Sequence, residues 1–331
     1  MDSTLGIFQG LLGALDHDRS AYSDGTFGFR PPYQERNTFF KVYTGLDHGD
    51  FKDAGGDLPD ARLFDLDGQF IGMVADPGNY VGSGKSSIFW AGSKGQPVYT
   101  LFSANENAQC ISFVSAVWPG RSGHYSWVGD WGSECAGDDP SMATWFFGKI
   151  AVPGTKYWPN CLWIDLNGGA PATGFQVNWL DMKPDVNDAR IGQQAKSMCQ
   201  TPSFHLYQHY DPAYIIHHHR DHNNQQPGRP PVLKRSETAP PRKRSKPKLS
   251  AAEAKLAFEE KYRNKLVVDD VPAHNAHALC ESASSAGPSF VNPEHGYFCD
   301  MQTKTIHPVC KEQDGKDVCF DMEQRELGKS T

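Results

Sequence analysis

No two of the eight cysteines in this 331-residue sequence stand as Cys-x-x-Cys, so the close ligand pairs of a structural zinc site are missing. No apolar run approaches the ~18 residues that cross a bilayer as a helix, so no membrane span is expected. There is no Asn-x-Ser/Thr sequon. Asp2, Gln9 and three glycines interrupt the apolar residues at the start, so no leader with a basic head and an unbroken apolar stretch is legible. Glutamate is nearly absent between Ala61 and Trp179, where only Glu106 and Glu134 occur. The carboxylate pair of a glycosidase is therefore hard to nominate, with Asp130 and Asp165 the aspartates that could serve instead. Gly82-Ser83-Gly84-Lys85-Ser86 has Asn79 where a phosphate loop needs its first glycine. Gly120-Arg121-Ser122-Gly123 lacks the last glycine of a serine-hydrolase elbow. No complete catalytic motif remains.

What is present describes a stapled, turn-rich protein. The cysteines are even in number (Cys110, Cys135, Cys161, Cys199, Cys280, Cys299, Cys310 and Cys319), which favours disulfides and an oxidising, extracellular setting. Four precede the basic stretch and four follow it, so each part is expected to pair internally. High Gly (32) and Pro (23) favour short strands and turns over long helices. From Ala61 to Trp179, short β-branched and aromatic runs recur at regular spacing, over 61–65, 69–75, 86–91, 97–103, 108–118, 124–131, 143–150, 161–166 and 173–179. Turn residues such as Asp67-Gly68, Pro119-Gly120 and Asn167-Gly168 separate them. All eight tryptophans fall in this block, which marks it as the core-bearing part.

The fold class expected is mainly β: an antiparallel β-sandwich with an N-terminal helix and a small helical, disulfide-bonded C-terminal tail. Its parts are a helix over 1–19, the Trp-rich sandwich over 20–222, a disordered basic linker over 223–248 and the cysteine-paired tail over 249–331. Residues 19–60 read as an irregular wrap, and 185–199 as a short helix. From Arg229 to Lys248 there are eight basic residues and one acid, a local +7 in a chain of −7 that leaves −14 on the rest. Such a segment cannot bury enough apolar surface to order itself. An acidic body with one basic strip does not fit a nucleic-acid-binding fold. The run Arg242 to Lys248 resembles a nuclear localisation signal, while Lys234-Arg235 and Lys243-Arg244 are dibasic pairs open to processing proteases. In the tail, Ser250-x-x-Glu253 is a capping box for a helix to about Leu266, with Phe258, Tyr262 and Leu266 on its stripe. Pro272 opens a second helix carrying Leu279 and Cys280.

Three groups of residues are candidates for chemistry. Tyr125, Trp127 and Trp131 around Asp130 could form a stacking platform for a sugar. His205, His209, His217 and His219 could bind zinc or copper, since side chains two apart on extended chain share a face; His218 and His222 lie beside them. Asp65-Leu66-Asp67-Gly68 and Asp165-Leu166-Asn167-Gly168 carry the short oxygen ligands of a calcium loop, but also the commonest hairpin turns, and hairpin turns are expected.

The segments Asp60–Met73 (DARLFDLDGQFIGM), Ser126–Gly132 (SWVGDWG), Cys161–Trp179 (CLWIDLNGGAPATGFQVNW) and Phe298–Cys310 (FCDMQTKTIHPVC) resemble those of an uncharacterised family of fungal proteins, typically secreted. The resemblance implies an extracellular, disulfide-bonded protein and carries no activity with it. The functional expectation is a secreted binding or effector-type protein without catalysis, its partner a glycan or a host or cell-surface protein. A metal-assisted hydrolase or oxidase built on the histidines is the competing reading.

Overall fold

The structure is a computed structural model, described over residues 36–45, 53–78, 80–137, 139–152, 155–182, 198–208, 211–218, 233–236, 238–240, 250–310 and 318–329. The helix expected over 1–19, nearly all of the one expected over 185–199, His209, His219, His222 and the run from Arg242 to Lys248 lie outside these residues.

Two antiparallel sheets make the sandwich. In the first, β1 (Asn37–Thr44) lies between the edge strand β6 (Ser86–Gly92) and β8 (Gln109–Val117). The far edge of β8 is shared: β11 (Asn160–Ile164) pairs with its first residues and β9 (His124–Val128) with its last, while β10 (Trp145–Phe147) extends the sheet beyond β11. The second sheet runs β13 (Phe204–Tyr207), β12 (Gly174–Asn178), β7 (Tyr99–Ser103), β3 (Asp60–Phe64), β4 (Phe70–Val74). Alternation along the strands sets the inner face. Val42, Val114 and Trp127 stand in register, as do Phe40, Ala116 and Tyr125. They meet the second sheet in an aromatic interior: Trp127 stacks on Phe175 at 4.3 Å between ring centres, and Phe40 meets Phe102 edge-on at 5.3 Å. Each such fully buried ring contributes about 1.5–3 kcal/mol over exposure.

Three local expectations change. The strand predicted over 124–131 stops at Val128, and Asp130–Ala136 forms a helix, α1. An added Cβ at Gly129 would lie 2.4 Å from the Asn160 carbonyl, so glycine permits the turn between them. β1 falls within the expected irregular wrap. The Asp165–Gly168 turn is not a hairpin, because it carries the chain from β11 in one sheet to β12 in the other, whereas Asp65–Gly68 does join neighbours β3 and β4.

Beyond Ser250 both expected helices are present, together with six strands that were not foreseen. α2 (Ala251–Tyr262) starts at a complete capping box, Ser250 accepting from the Glu253 amide and Glu253 from the Ser250 amide. It ends before Leu266, because Arg263 leaves helical angles and Asn264 takes a positive φ of 59°. α3 (Ala276–Glu281) is capped by Asn275 rather than opened by Pro272. β16 (Leu266–Val268) and β17 (Ser289–Asn292) are parallel, with α3 in the crossover. β18 (Tyr297–Asp300) and β19 (Thr305–Pro308) complete that sheet, and β20 (Val318–Asp321) and β21 (Glu326–Lys329) form a hairpin. Within the segment expected to be disordered, β15 (Leu233–Arg235) pairs with β14 (Ile216–His218), and the Arg235 guanidinium sits 3.3 Å over the Tyr214 ring. That cation–π contact lets a basic residue order without an apolar core.

The four disulfides are Cys110–Cys161, Cys135–Cys199, Cys280–Cys299 and Cys310–Cys319. None joins sandwich to tail, as expected. The two are nonetheless packed as one. A continuous buried cluster takes Trp145, Phe147 and Trp163 from the sandwich and Phe258, Leu279 and Phe290 from the tail. The Trp163 indole meets Phe258 edge-on at 5.1 Å and donates to the Ala286 carbonyl at 2.9 Å. Trp145 exchanges backbone hydrogen bonds with Ser284 and Ala286. The Phe258 and Tyr262 stripe therefore packs on the sandwich, but as part of a much wider seam.

Candidate functional site

Tyr125, Trp127, Asp130 and Trp131 do not form an open platform. The two indoles are fully buried, Trp127 stacked against Phe175, and Tyr125 lies 4.4 Å from Trp118 between ring centres. Tyr125 and Trp127 lie on the face of β9 that meets the second sheet, and Trp131 is buried from the start of α1. Asp130 is the unusual member. Its Oδ1 accepts from the Asn160 amide at 3.2 Å, and Tyr157 hydrogen-bonds to its side chain. Burial outweighs both contacts and pushes its carboxyl up to about 7.

Of the four metal candidates, His205 and His217 are described. His205 is half-buried, with Nδ1 3.2 Å from the Thr201 hydroxyl, and burial holds its ring below the usual histidine range. His217 is buried beneath Gly68, where a Cβ would meet its ring at 2.3 Å, and its Nδ1 contacts the His218 carbonyl at 3.0 Å. Among the described residues, no three His, Cys, Asp or Glu side chains converge as a metal site would need. The two aspartate turns have engaged carboxylates: Asp65 accepts from the amides of Asp67 and Gln69, and Asp165 from those of Asn167 and Gly169. Gly82–Lys85 is a tight turn in which the Ser83 hydroxyl accepts from the amides of Ala54 and Gly55.

The site that local sequence did not reveal lies over the seam. A cleft of about 730 Å³ opens between sandwich and tail. Its volume falls within the ~300–1,000 Å³ range of small-ligand sites. One wall is a face of α2, where Ala252, Lys255, Glu259, Tyr262 and Arg263 recur at helical spacing. The opposite wall comes from the sandwich, with Ser141, Thr144 and the backbone of Gly168 and Gly169. The rest of the lining comes from the tail, with Ser285, Ser289, Gln302 and Lys304. Gly169 lets α2 sit close, since a Cβ there would lie 3.2 Å from the Ala254 carbonyl and from Phe258. The buried Thr144 hydroxyl has no hydrogen-bond partner among the described residues.

Lys304 is placed by backbone geometry. It closes the β18–β19 turn with a positive φ of 54°, which directs its chain across to the end of α3. Its ammonium donates to the carbonyls of Ser285 (2.8 Å), Leu279 (3.2 Å) and Ser282 (3.3 Å), and it also contacts the Ser285 hydroxyl. It thus caps α3, whose carbonyl end favours a cation. Burial pulls its amine down to about 8. Three cationic side chains and one carboxylate, Glu259, line the cleft of a chain whose net charge is −7. The capping box and aromatic stripe announce α2 in the sequence. Nothing around Lys304 distinguishes it from a surface turn lysine.

No family model matches this sequence, and no curated protein does. A solved LOX variant is similar over 34% of this chain and 21% of its own, at 11% identity and a TM-score of 0.24, a likeness too slight to carry an argument.

Proposed function

We propose that this is a secreted binding protein without catalysis, and that its ligand is a small polyhydroxylated molecule of the oligosaccharide type held in the cleft between sandwich and tail. The observation that carries this reading is the cleft itself: a ligand-sized concavity whose three walls are fixed by a stapled sandwich, a capped helix and a stapled tail. Preorganised walls lower the ordering cost of binding. The hydroxyls of Ser141 and Ser289 and the amide of Gln302 line it and offer donors and acceptors of the kind that sugars satisfy. Binding rather than turnover is supported by how the reactive groups are used. Ser285 donates to the Leu279 carbonyl at 2.6 Å, and Lys304 spends its donors on α3. Four disulfides support an oxidising, extracellular setting.

The test is an oligosaccharide array followed by calorimetry on the oxidised full chain and on Ala252→Trp, which places an indole at the mouth of the cleft. Binding that the substitution abolishes supports the reading. Binding indifferent to it puts the site elsewhere, and turnover abolished by one side-chain change at the cleft overturns the non-catalytic reading.

A further inference from the structure

Resting on the cleft as the ligand site, we infer that its ligand is an acidic oligosaccharide, recognised through carboxylates spaced along it. Three cations line the cleft from two elements. Lys255 stands on α2 and Arg263 just past its last turn, eight residues on, which at ~1.5 Å rise per residue separates them by about 12 Å along the helix. Lys304 lines the cleft from the β18–β19 turn. An extended ligand with a carboxylate on successive units presents anions at intervals along one edge, whereas a single phosphate would reach one of these elements only.

The electrostatics favour an anion at both elements. On the helix side, Lys255 lies 4.0 Å from Glu259, and Arg263 lies 2.8 Å from Glu260, all four side chains more than half exposed. Pairs that exposed are held weakly and can exchange partners for a ligand carboxylate. On the tail side, the Lys304 ammonium is met by backbone carbonyls and a hydroxyl, and no carboxylate lies against it among the described residues. Carbonyl dipoles satisfy its hydrogens but leave its charge, which the partly desolvated cleft screens less than water would. Asp165 has its carboxylate held by the amides of Asn167 and Gly169 rather than presented to the cleft. Among the described residues Glu259 is the one acid lining the cleft, and it stands on α2 between Lys255 and Arg263 in sequence, where it disfavours a carboxylate at that position and favours the hydroxylated stretch between two of them.

The experiment is calorimetric titration of the oxidised full chain with trigalacturonate, with neutral cellotriose and with inorganic phosphate. The variants are Lys255→Glu, Arg263→Glu and Ala252→Trp, each checked for fold by circular dichroism. Lys304 is left in place, because removing it strands the carbonyls at the end of α3. Trigalacturonate is expected to bind at least about tenfold more tightly than cellotriose and to lose about tenfold with either charge reversal, the scale of one charged hydrogen bond. Cellotriose should be indifferent to the reversals, and phosphate should not compete. Equal affinity for the two trisaccharides, or indifference of trigalacturonate to both reversals, overturns the acidic-ligand inference while leaving the cleft standing if Ala252→Trp still blocks binding. Phosphate as the tightest ligand overturns it in favour of a single-anion site. Binding that survives Ala252→Trp, or no binding of any probe, removes the cleft reading and this inference with it.

Discussion

Across the sandwich interior, aromatic side chains from two sheets interlock without any help from the tail: Phe40, Phe102, Trp127, Phe175 and Trp179 are all fully buried there. The tail has few such residues of its own. A small separate cluster centres on Val291, Phe298 and Phe320, and most of its other buried apolar side chains belong to a cluster shared with Trp145, Phe147 and Trp163 of the sandwich. The disulfides follow the same division. The sandwich staples close 51 and 64 residues, the tail staples 19 and 9. In the chain-entropy account a longer closed loop gains more, so the tail's bridges are the weaker constraints on the unfolded chain and the tail depends on the seam for the rest. A region this small becomes stable by borrowing a hydrophobic face, and the borrowed face is where the cleft forms.

The sharpest way to break that comparison is to remove one indole from each region. Trp127→Ala and Trp163→Ala should each cost about 3–5 kcal/mol, the range for deleting a buried aromatic. Their calorimetric signatures should differ. Trp127→Ala lowers the main unfolding transition, whereas Trp163→Ala strips contacts from Phe258, Tyr262 and Ala286 and should move tail melting below that of the sandwich. One shared transition in both variants would show that tail and sandwich remain a single cooperative unit without this indole.

pH separates the regions by sign. The sandwich buries Asp130 with its carboxyl pushed up to about 7, above the ~4 of an unfolded aspartate. Its contribution is fully present below about pH 4 and is lost as pH rises through 7, a change on the order of 4 kcal/mol. The tail's Lys304 runs the other way: its amine is pulled down to about 8, so stability recovers as pH rises from there toward the ordinary lysine range. Asp130→Asn should therefore flatten the fall between pH 4 and 7 in urea titrations and leave the alkaline side alone. A wild-type protein equally stable at pH 4.5 and 7.5 would contradict the assignment.

The same division explains what the sequence disclosed. In the sandwich, local pattern and tertiary role agree. The β-branched and aromatic run Cys110–Trp118, bounded by turn residues, marks a strand and is nearly all apolar because both faces of β8 are buried, and the predicted strands from Ala61 to Trp179 match observed ones within a few residues, apart from the end of the 124–131 run. The strand β1 carries the same signal in Thr38, Phe40, Val42 and Thr44, but its Gly-, Pro- and Asp-rich surroundings mask it. In the tail the strands are three or four residues long, too short for a period to register, and the first two, β16 and β17, meet only across a crossover. The site was legible least of all. Aromatic residues near Asp130 suggested a surface platform because sequence does not say which face of a strand meets another sheet. The cleft residues come from five separate stretches that only the seam brings together.

The smallest expected effect tests whether the cleft depends on α2 in particular. Ser250 accepts from the Glu253 amide at 3.3 Å, and Glu253 reaches back to the Ser250 amide at 2.8 Å, fixing the first turn of the helix. Both partners are exposed, so Ser250→Ala removes a cap without disturbing a core, and its cost should be about 1 kcal/mol. The loss should be local. Ala252 and Lys255, in the first turns, line the cleft mouth, while Phe258 and Tyr262, further along, are held by Trp163. Fraying should therefore loosen the mouth and leave the seam closed. Hydrogen exchange would read this directly, with faster exchange in the first turns of α2, unchanged protection from Phe258 to Tyr262, and unchanged protection in the strands of the sandwich. Faster exchange spreading to Trp163 and the β10–β11 pair would mean that the capped end of α2 holds the seam shut and that tail and sandwich are coupled through the helix start rather than through its aromatic stripe.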